Sequence, residues 1–89
     1  MKYIIIDGRR CKNKESTHAY LAKKPCFPPY YGRSLDALHD VLTSCCEPVC
    51  FRIKYSSSIT KNLGKYGETL IAVFEDAASE NANIKIEIK

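Results

Sequence analysis

No stretch of this chain approaches the roughly 18 consecutive apolar residues that a membrane-spanning helix requires, which excludes such a segment. Met1-Lys2 leads into a short strand-like run ending at Asp7-Gly8. It lacks the basic segment, long apolar stretch and small-residue cleavage site of a secretion signal, so the expected location is the cytoplasm. With only four glycines, there is no Gly-rich loop to cradle a phosphate. Repeats, low-complexity tracts and linkers are also missing. The 89 residues leave room for one domain, residues 1–89.

Cysteine, by contrast, is plentiful. Cys11, Cys26, Cys45, Cys46 and Cys50 make five, an odd number that cannot pair off completely within one chain. Without a secretion signal they read as reduced thiols. Cys45, Cys46 and Cys50 with His39 upstream invite a metal reading, but the spacing fits no common zinc pattern and adjacent cysteines seldom ligate one ion comfortably. No metal and no cofactor are expected.

The formal charge is +4, and it is unevenly placed. Residues 1–34 hold eight basic and two acidic side chains, and residues 51–67 hold four basic and none acidic. Residues 35–50 hold three acids and no base, and residues 68–89 hold five acids and two lysines. Acid therefore lies in two blocks. The basic excess suggests nucleic acid as a partner, using Arg9, Arg10, Lys12, Lys14, Lys23, Lys24, Arg52 and Lys54. No groove-reading motif accompanies these residues, and a solubilising surface explains them better. No basic helix carries a strongly apolar face, so a membrane-surface role is not expected.

Tyr3-Ile4-Ile5-Ile6 is an apolar run without polar alternation, the pattern of a strand covered on both faces. Residues from Glu15 to Lys24 suit a helix capped by Asn13. A second helix is predicted from Ser34 to Ser44, before Pro48. Val49 to Tyr55 alternates, putting Val49, Phe51, Ile53 and Tyr55 on one strand face. Ser56-Ser57-Ser58 reads as a polar break before a short helical piece from Ile59 to Leu63, and Gly64 and Gly67 bracket a loop. Glu68 to Glu80 forms a helix with Leu70, Ile71 and Phe74 inward, and Asn81 and Asn83 suit its exit turn. Ile84, Ile86 and Ile88 alternate with Lys85, Glu87 and Lys89 as a final strand. Strands separated by helices predict an α/β fold with a small parallel sheet.

The most informative segment is Phe27-Pro28-Pro29-Tyr30-Tyr31-Gly32-Arg33 and the helix it enters. Pro28 and Pro29 stop a preceding helix, Gly32 permits a turn conformation closed to other residues, and Ser34 is a good N-cap. Leu35, Leu38 and Leu42 form a buried stripe beside Asp36, His39, Asp40 and Thr43. Two carboxylates at i and i+4 repel by a few tenths of a kcal/mol, a cost with a use if a cationic partner sits between them. Two exposed tyrosines beside them complete a surface built to meet something cationic. A His39–carboxylate dyad lacks a motif-supported nucleophile, so the chain does not read as an enzyme. His18, on the first helix, reads as a surface or satisfied edge residue.

This segment resembles the barstar family of ribonuclease inhibitors. Tyr30-Tyr31-Gly32 with Leu35-Asp36-Ala37-Leu38, the start Met1 to Gly8, Val73-Phe74 and the alternating tail fall in register, with about one residue missing near Glu47 and Pro48. The resemblance implies a three-layer α/β domain with a three-stranded parallel sheet and three to four helices. It implies one-to-one inhibition of a ribonuclease or ribonuclease-type toxin by a chain that is monomeric when free. Asp40 matches the position that lies among the enzyme's catalytic cations in place of substrate phosphate. Tyr30, Asp36 and Asp76 match further contacts, and His39 and Ser44 share the helix. Two departures stand out: His39 replaces a tryptophan typical of the family, and Cys45 replaces another aromatic. Alternative readings are a barstar-fold adaptor without a nuclease partner and a nucleic-acid-binding module using the basic blocks.

Overall fold

A computed structural model describes residues 2–89. Strand β1 (Lys2–Asp7) is followed by a 3₁₀ turn over Gly8–Arg10, then helices α1 (Lys14–Ala22) and α2 (Leu35–Thr43). Strand β2 (Val49–Lys54), helices α3 (Ser56–Leu63) and α4 (Lys65–Glu80), and strand β3 (Ile84–Ile88) complete the chain. The strands pair in the order β1-β2-β3, both pairs parallel, as the alternation of strands and helices predicts.

Local chemistry sets the helix starts. Asn13 accepts from Ser16 N at 2.8 Å while its own N–H donates to Ser16 Oγ at 3.1 Å, a reciprocal cap on α1. Ser34 Oγ accepts from Ala37 N at 3.1 Å and begins α2. The backbone entering α2 differs from the glycine reading, because the left-handed residue is Arg33, at φ 53°, and not Gly32. Gly32 instead sits close to α2: a Cβ there would lie 3.1 Å from the Cβ of Ala37, a tight contact.

Register aligns Ile4, Phe51 and Ile86 across the sheet, with Ile6 and Ile53 beside them, while Ile88 at the strand end is exposed. That face meets Leu21 of α1, Leu38 and Leu42 of α2, Ile59 of α3, and Leu70, Phe74 and Ala77 of α4 in one core. Phe51 and Phe74 stack edge-on with centroids 5.4 Å apart. Removing each such side chain from water contributes roughly 1.5–3 kcal/mol.

The opposite sheet face corrects the reading of β1 as covered on both sides. Tyr3 is 56% exposed and Ile5 46%. Consecutive crossovers step the same way across the sheet and deliver the helices to one face, so the sheet has one helical layer and not the two of a three-layer domain. Polar partners replace a second layer. Arg52 lies over the Tyr3 ring at 4.5 Å, and its Nε is 3.2 Å from Glu87 as an ion pair without hydrogen-bond alignment.

Three further readings change. Tyr55 adopts φ 55°, leaves the strand and is exposed, because it turns the chain into α3. Ser56-Ser57-Ser58 is the first turn of α3, since packing of Ile59 outweighs the weak propensity of serine. Gly67 lies within α4 and is buried. A Cβ there would sit 2.5 Å from the Ile59 carbonyl oxygen, so this glycine lets α4 cross α3 closely. Among the described residues, no helix is long and apolar enough to cross a membrane.

Candidate protein-binding surface

The loop before α2 sends its two tyrosines in opposite directions. Tyr30 is 85% exposed, whereas Tyr31 is 7% exposed, against the expectation of two exposed rings. Tyr31 packs edge-on against Phe27, centroids 5.0 Å apart, and its hydroxyl lies 2.6 Å from Nδ1 of His18. Nε2 of His18 lies 2.6 Å from the Tyr66 hydroxyl. His18 is thus buried with both ring nitrogens engaged, so of the two readings, surface or satisfied edge residue, the surface one fails and the satisfied one holds. A neutral imidazole suits this site, since it offers one N–H donor and one acceptor to two hydroxyls. Burial, then the nearby charge of Arg33, holds its pKa below the ordinary value. Burial likewise pushes the Tyr31 hydroxyl upward.

With Tyr31 anchored, Tyr30 turns towards α2. Tyr30, Asp40 and Ser44 line one shallow pocket of about 290 Å³ with Cys26, Pro28, Val41 and Cys45. Asp40 and Ser44 stand one turn apart on α2, where Ser44 is the C-cap and both are exposed. Asp36 is exposed a turn before Asp40 and lies outside the pocket wall. His39 turns elsewhere: its Nε2 is 2.7 Å from a carboxylate oxygen of Glu80 on α4. Asp76 is exposed on α4, four residues before Glu80. Helices α2 and α4 pack directly against each other, so the two acidic blocks, distant in sequence, become neighbours.

The end of α2 is held from beneath. Asn81 Nδ2 donates to the carbonyls of Leu42 at 3.0 Å, Thr43 at 3.3 Å and Cys45 at 3.0 Å. Asn83 Nδ2 reaches the Cys46 carbonyl at 3.2 Å. These amides satisfy C-terminal carbonyls that have no partner inside the helix. Sequence reasoning placed both asparagines in a turn and missed this support, which depends on contacts 36 to 39 residues apart. It also missed Cys26 as a pocket wall and Glu80 as the partner of His39. Among the described residues, no group of three or more metal-ligating side chains converges.

A small α/β domain with a parallel sheet, helices on one face, and an acidic helix behind an aromatic loop is the class that fold and surface define. The chain belongs to the barstar family: it matches the family described as "Barstar (barnase inhibitor)" over residues 1–89. It is also 41% identical over 81 residues to the Bacillus subtilis (strain 168) protein named "Putative ribonuclease inhibitor YrdF". That similarity covers 90% of this chain and 89% of the Bacillus protein.

Proposed function

We propose that this protein is a one-to-one inhibitor of a ribonuclease or ribonuclease-type toxin, acting as one domain without turnover or cofactor. The observation that carries the reading is the grouping of Tyr30, Asp40 and Ser44 around one pocket, beside the junction of two acid-bearing helices. Family membership and the name of the Bacillus relative point the same way.

In this mechanism α2 and its preceding loop block the ribonuclease active site. The Asp40 carboxylate takes the place of substrate phosphate among the enzyme's cations, where charge-assisted hydrogen bonds are strongest. Tyr30 covers the entrance with a large, rigid ring that loses little entropy on binding. Asp36 and Asp76 extend the acidic surface, Ser44 supplies a hydroxyl beside Asp40, and His39 presents its outer edge while paired with Glu80. Because His39 and Cys45 stand where the family resemblance carries aromatics, the partner is selected by polar contacts more than by ring anchors. The net charge of +4 adds little long-range steering towards a basic enzyme, so recognition depends on this local acidic surface.

The test is retention and titration. A tagged copy is mixed with the ribonucleases encoded in the same genome, with RNA removed. One ribonuclease should be retained at one-to-one stoichiometry and lose activity at equivalence. Retention of RNA with steep salt dependence, and of none of the enzymes, would overturn the reading in favour of nucleic-acid binding.

A further inference from the structure

Two cysteines from different parts of the chain meet in the wall of this pocket. Cys26 Sγ and Cys45 Sγ lie 3.3 Å apart although they are 19 residues apart in sequence. Cys26 lies in the loop after α1, and Cys45 immediately follows the C-cap of α2. Both are half-buried free thiols. Their surroundings fix one side of the pair: the Cys45 carbonyl accepts from Asn81 at 3.0 Å and from Asn83 at 3.4 Å. The other thiols are directed elsewhere. Cys11 Sγ faces the Asp7 carbonyl at 3.9 Å, Cys50 Sγ faces Glu87 at 3.5 Å, and Cys46 faces the Ser44 carbonyl at 3.5 Å.

We propose that Cys26 and Cys45 form a reversible disulfide that ties the Tyr30 loop to the end of α2. The oxidant is a low-molecular-weight disulfide. One of the two cysteines, as its thiolate, attacks one of the oxidant's sulfurs, breaking that S–S bond, forming a mixed disulfide and releasing one small thiol. The other cysteine, 3.3 Å away, then gives up its proton and attacks the protein sulfur of the mixed disulfide, expelling the second small thiol. Two protein thiols become one disulfide, and the small disulfide takes up the two electrons and two protons.

Burial, then the S–H contact with Cys45, pushes the Cys26 thiol up to about 12. A disulfide spans about 2.05 Å, so the bond draws the two pocket walls closer by roughly 1 Å. Any effect on inhibition rests on the function proposed above, but formation of the bond does not, and the two are tested separately.

The experiment treats the full chain, as wild type and as Cys46→Ser, with glutathione disulfide and maps the products by peptide mass spectrometry. The expected product in both is a Cys26–Cys45 bridge within one chain, two hydrogens lighter and reversed by dithiothreitol. Closing this loop restricts the unfolded chain, so the oxidised Cys46→Ser form should melt roughly 10 °C higher than its reduced form. Cys26→Ser should stop at a glutathione adduct on Cys45. Adducts that persist unresolved in the wild type, or bridges that run mainly through Cys46 or between chains, would overturn the proposal whatever the ribonuclease titration shows.

Discussion

Nδ1 of His18 sits 2.6 Å from the phenol oxygen of Tyr31, and this contact fixes which tyrosine of the loop faces outward. Tyr31 is drawn into the core edge between Phe27 and His18, and Tyr30 is left on the surface beside Asp40. A buried histidine on α1 therefore shapes the loop before α2 without lining the pocket beside it.

That arrangement makes stability depend on pH. Burial lowers the His18 pKa in the folded chain below 6.5, so the unfolded chain binds more protons in the interval between. The contribution is fully present above 6.5 and is lost as pH falls from there through the lowered value. Asp7, held below 3.8 by its bonds to Arg9, acts only at lower pH and does not confuse the window. Thermal melts from about pH 7.5 to 5 should show a falling Tm in the wild type. His18→Gln should start lower and lose most of that slope. An unchanged slope in His18→Gln would sink this account.

Asp40→Ala should fold normally, because Asp40 is exposed on α2. If its carboxylate fills a cationic pocket, removal leaves the partner's charges buried and unpaired, at roughly 2–5 kcal/mol, a range that charge pairs of a barstar complex help define. That corresponds to about 30-fold to several thousandfold in affinity, expressed mainly as faster dissociation. Asp36→Ala should lose less, since Asp36 lies outside the pocket wall and is more screened. Inhibition by Asp40→Ala equal to that of wild type, in a titration of the retained ribonuclease, would show that α2 is not the blocking element.

Gly67→Ala should behave against its helical setting. Within an exposed helix this change commonly stabilises by about 1 kcal/mol. Here the new Cβ would lie 2.5 Å from the Ile59 carbonyl oxygen and would force α3 and α4 apart. Overpacking of this kind costs roughly 1–3 kcal/mol, and each kcal/mol lowers Tm by about 4–8 °C in a domain of this size. A melt of the variant at or above the wild-type temperature would show that the helix crossing can relax freely.

What the sequence determined by itself was whatever repeats at short range. Leu35, Leu38 and Leu42 fixed the inward stripe of α2, Asn13 and Ser34 capped their helices, and the alternation of Ile84, Ile86 and Ile88 gave β3. Strands separated by helices gave the parallel sheet. These features are legible because side-chain direction follows from backbone period and caps act within one turn. The tertiary structure decided the rest. Ile5 has the composition of a core residue yet faces solvent, because both crossovers pass over the other side of the sheet. Gly67 read as a loop residue until α3 was placed against it. Tyr30 and Tyr31 are indistinguishable as neighbours until His18 and Phe27 claim one of them. His39 faces Glu80, and Cys26 faces Cys45, across separations that no local period encodes. Such pairings arise only when the chain closes on itself and buried polar groups and sulfurs must accept the neighbours that packing gives them.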